Sequence, residues 1–296
     1  MNIYKSLLVV SFVALMIFGC GEDDSNLTQP EDQPAGIQKS EKRGLAYNLT
    51  NAEDLDALKS GVSWWYNWYF KTDAPASYYN SYEMEFIPML GGRNESSDYT
   101  EVKNFILSHP EIEYLLVMNE PNLTDQVNMT PYQAAVEWVK YEKVVSDLAA
   151  ENRTIYLVGP AMTWGTLPNY SDPVIWLDDF YTAYRNANDG RDPKIDYLAF
   201  HWYDYGLAAQ LDRLQKYGKK IWITEMANWN PQINSYLKQA EQMTQMVSIC
   251  ESRDDVFRYA WFIGRGDSFD NKYTYLFNPT PGELNALGKL YIDLPY

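Results

Sequence analysis

Two glutamates stand at the ends of apolar segments, where a carboxylate would be well placed for catalysis. Glu120 closes the segment EYLLVMNE (113–120) and is followed by Pro121, and Glu225 lies near the end of KIWITEM (220–226). Proline has no N–H and cannot continue a strand ladder, so the first segment ends at its glutamate. Two carboxyl groups that converge on one site can hydrolyse a glycosidic bond, because one protonates the leaving oxygen while the other attacks the anomeric carbon or activates a water. Each glutamate taken alone could equally be a solvated side chain.

Eight short apolar, β-branched or aromatic segments alternate with helical patterns, and they predict the elements that must position these glutamates. The segments are GLAYN (44–48), SWWYNW (63–68), EFIPML (85–90), EYLLVMNE (113–120), TIYLVGPAM (154–162), DYLAFHWY (196–203), KIWITEM (220–226) and FRYAWFI (257–263). Eight strand–helix repeats in about 250 residues predict an α/β fold, a single-domain (β/α)₈ TIM barrel. A doubly wound open sheet is the alternative, but the first segment lacks a GxGxxG turn and the chain has no phosphate loop.

The active site of such a barrel lies at the carboxyl ends of its strands, so further candidates come from those ends. Trp164 and Trp229 lie just past strands, in loops that would border the cleft, and are candidate platforms for sugar rings; loop packing is the alternative. Trp261, inside the eighth segment, is predicted to line the cleft floor. Asn67 is a further candidate, although adjacent strand residues face opposite sides and the pattern does not fix which side Asn67 faces.

The first 42 residues predict a targeting signal and a tether. Lys5 precedes an apolar stretch that ends in Gly19-Cys20, which resembles a bacterial lipoprotein signal over residues 1–20 with lipidation at Cys20. A plain cleaved signal or a membrane anchor is the alternative. Residues 21–42 are acidic, contain two prolines and have almost no apolar side chains, which predicts a disordered tether.

This organisation leaves residues 43–296 as the catalytic domain. It predicts a location in the bacterial cell envelope, at the outer membrane or the cell surface. The acidic run after Cys20 resembles a surface-export signal of some outer-membrane lipoproteins, or it is only a solvated linker. In this interpretation the protein meets the membrane through its lipid anchor alone.

Charge and composition restrict the partners. The net charge of −16 argues against nucleic acid and polyanionic substrates, which require a basic surface, and favours a neutral partner. The 25 Tyr, 11 Phe and 10 Trp suit a site that stacks on sugar rings. Two distant histidines and no cysteine cluster provide no metal-ligand set, and no G-x-S-x-G motif supports a serine triad. We therefore expect that the protein needs no metal or other cofactor. We also expect it to be a monomer.

The motifs at the predicted strand ends also resemble a known family. NEP (119–121) and TE (224–225) resemble the catalytic motifs of the large retaining clan of (β/α)₈ glycosidases. WWYNW, FIPML and FHWY narrow the resemblance to the Asl1-like glycosyl hydrolases, glycoside hydrolase family 128, which are endo-β-1,3-glucanases. The resemblance extends from residue 43 to about residue 290.

The resemblance implies roles for the residues that match these motifs. Glu120 would be the acid/base and Glu225 the nucleophile. Asn119 would bind the sugar 2-hydroxyl near Glu225, and His201 and Tyr203 would flank and orient Glu225 and hold a neighbouring sugar.

The implied function is hydrolysis of laminarin-like β-1,3-glucan by a retaining endo-β-1,3-glucanase. Retention predicts carboxyl groups roughly 5–5.5 Å apart, against roughly 6.5–9.5 Å for inversion. Two alternatives remain open at this point: a related barrel glycosidase that acts on β-1,4-glucan, β-mannan or β-xylan, and a surface glycan-binding lipoprotein without catalytic activity.

Overall fold

The computed structural model describes residues 38–93, 96–266 and 272–296, and in this part of the chain nine strands alternate with eight α-helices. The strands are β1 (Arg43–Ala46), β2 (Trp64–Tyr66), β3 (Glu85–Phe86), β4 (Met89–Leu90), β5 (Tyr114–Val117), β6 (Tyr156–Met162), β7 (Tyr197–Trp202), β8 (Ile221–Met226) and β9 (Val256–Trp261). The helices are α1 (Ala52–Leu58), α2 (Tyr78–Tyr82), α3 (Ser96–Ser108), α4 (Pro131–Ala150), α5 (Pro173–Ala187), α6 (Leu207–Leu214), α7 (Tyr236–Ser252) and α8 (Ala286–Asp293). No described helix is long and apolar enough to cross a membrane.

The strands form one parallel sheet in the order β3-β2-β1-β9-β8-β7-β6-β5-β4. β3 and β4 lie at opposite edges of this order, yet only Ile87 and Pro88 separate them in the chain. Both belong to the third predicted segment, which Pro88 interrupts because it has no N–H to donate. The two edges of the sheet therefore meet at this segment, and the predicted single-domain (β/α)₈ barrel is confirmed.

Side chains of alternate strand residues fill two separate layers. Trp64 of β2 packs inside the barrel, whereas its neighbour Trp65 packs between the sheet and the helices. Near the start of the strands, the rings of Trp64 and Trp222 lie 5.9 and 4.9 Å from the guanidinium of Arg258, which also pairs with Glu85 at 2.6 Å. This aromatic plug fills one end of the barrel and leaves the carboxyl ends of the strands for a site.

Residues 39–42, which the sequence assigned to the tether, are docked against the barrel. Ser40 is buried and donates a hydrogen bond of 2.6 Å to Glu251, and Lys42 Nζ donates to three main-chain carbonyls at the end of α7. The predicted tether boundary at residue 42 is therefore too late, because polar contacts rather than apolar burial hold this segment. The signal at 1–20 with Cys20, and the tether through residue 37, lie outside the described residues.

Arg43 connects the first strand to the end of the chain. The side chain is 1% exposed, and its guanidinium donates to the carbonyls of Tyr291 at 2.7 Å and Leu294 at 2.6 Å. Its Nε donates to the hydroxyl of Tyr259, and the carboxylate of Glu251 lies 3.6 Å away. The contacts fix the segment that follows α8 against the beginning of β1.

We expect Arg43→Met to lower the free energy of unfolding by about 3–5 kcal/mol, because it leaves the nearly buried Glu251 carboxylate and several carbonyls without their cation. In a domain of this size that loss corresponds to a fall in Tm of roughly 6–20 °C, measured by calorimetry. Arg185→Met is the control, since Arg185 pairs with Asp192 on the surface and should change stability by less than about 0.5 kcal/mol. Equal shifts in both variants would contradict the prediction.

Candidate active site

The NEP segment presents Glu120 at the mouth of the barrel through an unusual turn. Just past the end of β5, Met118 and Glu120 adopt left-handed conformations with φ of 59° and 50°. Asn119 between them forms a bridge with Ala161 of β6, and the Glu120 N–H donates to the Ala161 carbonyl at 2.9 Å. Such conformations are unfavourable for residues with a side chain and are concentrated at functional sites. The turn places the Glu120 carboxylate, 8% exposed, in the mouth of the barrel.

Glu225, on β8, is held by three neutral hydrogen-bond donors. Its Oε1 accepts hydrogen bonds from the Tyr66 hydroxyl at 2.9 Å and from Trp68 Nε1 at 2.8 Å. Its Oε2 accepts one from the Tyr203 hydroxyl. A register shift between β7 and β8 brings His201 opposite Glu225 in the sheet. These contacts fix the orientation of the carboxylate and favour its ionised form.

His201 contacts both glutamates. Its Nδ1 lies 2.8 Å from Glu120 Oε1 and 3.5 Å from Glu225 Oε2, while its Nε2 lies 2.9 Å from Thr224 Oγ1. The ring is completely buried, so the expectation that His201 also holds a sugar is wrong. Its position confirms contact with Glu225, and its closer partner is Glu120.

Burial and neighbouring charges shift the pKa values of Glu225, His201, Tyr66 and Tyr203. Burial raises the pKa of Glu225; the Glu120 carboxylate acts in the same direction, while His201 and the donated hydrogen bonds oppose it. Burial lowers the pKa of His201, but the two carboxylates outweigh it and the net pKa is raised, so the ring keeps its proton to higher pH than usual. Burial also raises the pKa of Tyr66 and Tyr203, which keeps both as neutral donors.

The two carboxylates are close enough to act on one bond. One oxygen of Glu120, one of Glu225 and one ring nitrogen of His201 all lie within 4.8 Å of one another. Among the described residues these three side chains are the group that could hold a metal ion. Both ring nitrogens of His201 already have hydrogen-bond partners, however, so an ion would have to displace one of them.

A cleft of about 1240 Å³ opens above the carboxylates. Besides Glu120 and Glu225, its lining includes Trp68, Tyr69, Asn119, Trp164, Trp202, Tyr203, Trp229 and Phe262. Four of the predicted substrate-binding residues, Asn119, Tyr203, Trp164 and Trp229, are thus brought to one cavity. Trp164 is 44% exposed, and Trp229 is 38% exposed and stacks on Tyr203 with ring centroids 3.9 Å apart.

Two predicted site residues face away from the cleft. Trp261 is fully buried, donates through Nε1 to the Thr274 carbonyl and packs against Tyr291 of α8, so the prediction that it lines the cleft floor is wrong. The next residue, Phe262, faces the cleft instead, as alternation along an extended chain requires. Asn67 is also wrong as a cleft residue, because it does not line the cleft. Its Nδ2 donates to Asn48 Oδ1 and to the Lys71 carbonyl, and its Oδ1 accepts the Tyr69 N–H.

Three residues that contact this cluster were missed from the sequence: Tyr66 and Trp68, which donate to Glu225, and Thr224, which bonds His201. Tyr66 and Trp68 continue a two-residue period that begins at Trp64, so three aromatics share the inward side of this segment. The other phase contains Ser63, Trp65 and Asn67, of which one is aromatic. Comparing the two phases would have favoured the aromatic one; for Thr224 the sequence carries no comparable signal.

Comparisons with known proteins agree with this geometry. Residues 44–291 match the family described as "Glycosyl hydrolase catalytic core". A GH128 subgroup II endo-β-1,3-glucanase from Pseudomonas viridiflava is 49% identical, with a TM-score of 0.82 over 88% of this chain and 100% of the other. A second one, from Sorangium cellulosum, is 31% identical with a TM-score of 0.72, over 86% and 98% of the two chains.

A curated relative, alkali-sensitive linkage protein 1 of Schizosaccharomyces pombe, is 27% identical over 269 residues. The match includes 86% of this chain but 45% of the yeast protein, so the chain spans slightly less than half the length of that relative. The family match includes most of the chain, and the bacterial relatives are matched over nearly their whole length. This chain therefore belongs to the glycosyl hydrolase catalytic core family and, within it, to glycoside hydrolase family 128.

Proposed function

We propose that this protein is a retaining endo-β-1,3-glucanase that hydrolyses laminarin-like β-1,3-glucan. The observation that carries the proposal is the position of Glu120 and Glu225, with oxygens within 4.8 Å, at the floor of an open cleft. This upper limit on the separation of the two oxygens favours the roughly 5–5.5 Å spacing of retaining enzymes over the roughly 6.5–9.5 Å of inverting ones. The similarity to GH128 endo-β-1,3-glucanases supports the choice of substrate.

In the proposed reaction, Glu225 attacks the anomeric carbon while Glu120 protonates the leaving oxygen. Glu120 then deprotonates a water, which hydrolyses the glycosyl ester and releases a product of retained configuration. Negative charge passes from Glu225 to Glu120 in the first step. Because His201 contacts both carboxylates, it faces one negative charge before and after that step and stabilises both states.

The cleft residues suit a sugar chain without charge. The exposed indoles of Trp164 and Trp229 and the ring of Tyr203 offer apolar faces to the C–H groups of sugars, and the side chain of Asn119 offers polar contact.

Acidic side chains around the cleft predict discrimination against anionic glucans. Asp98, Asp125 and Asp204 line it together with the two glutamates, against one cation, Arg93. We expect carboxymethylated β-1,3-glucan to have a KM at least about fivefold above that of a neutral hydroxyethylated glucan of similar substitution, since one close repulsion costs about 1 kcal/mol. The gap should narrow in ~1 M salt, where screening is strong. Equal KM values, or a gap insensitive to salt, would contradict the prediction.

A substrate panel tests the proposed function. The protein is incubated with laminarin, β-1,4-glucan, β-mannan and β-xylan, and the products are separated by size. Internal cleavage of laminarin, with the β-anomer formed first by ¹H NMR, is the expected result. Cleavage of another glycan alone, or binding without turnover, would favour one of the two alternatives from the sequence, and an α-anomer formed first would exclude retention.

We also propose, from the sequence alone, that Cys20 is lipidated and anchors the protein in the bacterial envelope, at the outer membrane or cell surface, where it acts as a monomer. The cysteine after an apolar segment and the acidic, proline-containing stretch that follows support this proposal. Fatty-acid labelling of the full chain in bacteria tests it. Label that persists in Cys20→Ala would refute lipidation at this residue.

A further inference from the structure

Trp164 differs from the four cleft aromatics around Glu225 in what lies against its ring. Trp68, Tyr203, Trp229 and Phe262 form a connected set of ring contacts around Glu225. Trp164 instead packs near Trp202, with 6.5 Å between the ring centroids. The guanidinium of Arg213 lies 5.6 Å from the centroid of the Trp164 ring.

Arg213 is held in place by two helices behind the cleft. It extends from α6, and its Nη2 bonds Asp172 Oδ2 at 2.5 Å while its Nη1 bonds Gln210 Oε1 at 2.9 Å. Asp172 is itself fixed, because its other carboxylate oxygen caps α5 by accepting the Val174 N–H at 2.9 Å. Both terminal nitrogens of the guanidinium are thus held, one by α6 and one by the cap of α5.

This arrangement leaves one side of the indole for a ligand. Trp164 lines the cleft and remains 44% exposed, whereas Arg213 is not among the described residues that line it. The side chains of Arg213 and Asp172 are 36% and 23% exposed, and a single, partly exposed ion pair of this kind contributes only modestly to stability. A cation held against the ring restricts the rotation of the indole, and a platform fixed before binding loses less entropy when a ligand stacks on it.

We propose that Trp164 is the platform of a sugar subsite outside the group around Glu225, and that Arg213 and Asp172 are positioning residues that hold its ring for stacking. The ligand is a neutral glycan long enough to reach from the carboxylates to this indole. The proposal rests on the proposed function, since it takes the occupant of the cleft to be a glycan chain.

The test compares kcat and KM of the wild type, Arg213→Ala, Asp172→Asn and Trp164→Ala on laminari-oligosaccharides of increasing length. Arg213→Ala should lower kcat/KM by about 2–5-fold on long chains, mainly through KM, and by less on the shortest chain that is cleaved. Asp172→Asn keeps a good helix cap but removes the charge, so it should give a loss of the same kind. Trp164→Ala should lose at least as much as Arg213→Ala.

Arg185→Ala is the matched control, because Arg185 also lies over an aromatic ring, Tyr181 at 5.5 Å, and pairs with an aspartate on the surface. It should leave all rates unchanged. In the Trp164→Ala background, Arg213→Ala should cause no further loss, since the arginine acts through the indole.

Three results would overturn the inference: a loss that is independent of chain length, a loss equal to that of the control, or a full loss from Arg213→Ala when Trp164 is already absent. Failure of the wild type to cleave laminarin would count against the proposed function instead. The same variants would then be compared on oligosaccharides of whichever glycan the wild type does cleave, or by titration calorimetry with the glycan that it binds.

Discussion

Replacement of Glu225 by Gln is expected to bring hydrolysis of laminarin down to background, a loss on the order of 10⁴-fold or more, while glucan binding persists. An amide cannot form the glycosyl ester, and losses of this size follow the removal of a nucleophile. The Gln amide oxygen can still accept hydrogen bonds from Tyr66 and Trp68, so the cleft should keep its shape. Release of reducing sugar measures turnover, and titration calorimetry with laminari-oligosaccharides measures binding.

Glu113→Gln provides the matched control for this variant. Glu113 is an exposed glutamate just before β5, at the end of the barrel opposite the cleft, and its replacement should leave the rate unchanged. Substantial turnover in Glu225→Gln would remove the nucleophile assignment. Loss of both turnover and binding, with an altered circular dichroism spectrum, would mean that the variant had misfolded. Glu225→Asp, which keeps the charge but retracts the oxygen, would then test the nucleophile assignment.

Replacement of Glu120 by Ala is expected to slow laminarin hydrolysis by about 10²–10⁴-fold, the usual contribution of a general acid or base. The loss should be much smaller in the first step for an aryl β-laminarioside with a good leaving group, because such a group departs without a proton. Azide should then accelerate the second step, since it attacks without being deprotonated, and it should give a β-glycosyl azide. Product analysis by NMR measures both the rate and the configuration.

The same reaction with Glu225→Ala distinguishes the two roles. Azide can replace the missing nucleophile there and should give the α-glycosyl azide by a single displacement, with Glu120 as the acid. If the two variants gave the opposite configurations, the roles of Glu120 and Glu225 would have to be exchanged. The contacts of His201 with both carboxylates would stay the same under either assignment.

The order of the strands and the positions of the two glutamates were predictable because they depend on local patterns. Apolar runs of strand length, separated by helical periodicity, identified all eight barrel positions, and Pro121 marked the end of the run that carries Glu120. Even the interruption at Pro88 fell inside one predicted segment. These features can be predicted without knowing which residues pack against them.

The errors arose where the sequence does not say which way a side chain faces or what covers it. Trp261 and Asn67 belong to strand ends but lie in the outward phase, and a change of one residue in phase moves a side chain to the other face. The sugar contact predicted for His201 is wrong because the residues that bury its ring come from distant strands, which the local sequence does not reveal. Residues 39–42 were assigned to the tether because hydrogen bonds to the end of α7 leave no trace in composition.

The buried cluster of Glu120, His201 and Glu225 also contributes to how the folded state responds to pH. Folding raises the pKa of Glu225 above its ordinary value of 4.5 and the pKa of His201 above its ordinary value of 6.5. Between the ordinary and the raised pKa of each residue, the native state therefore binds more protons than the unfolded chain. In those intervals the stability falls as the pH rises, because deprotonation favours the unfolded chain. The cluster therefore makes the barrel more resistant to unfolding in mildly acidic solution than at neutral pH, a trend that thermal melts across this range would reveal.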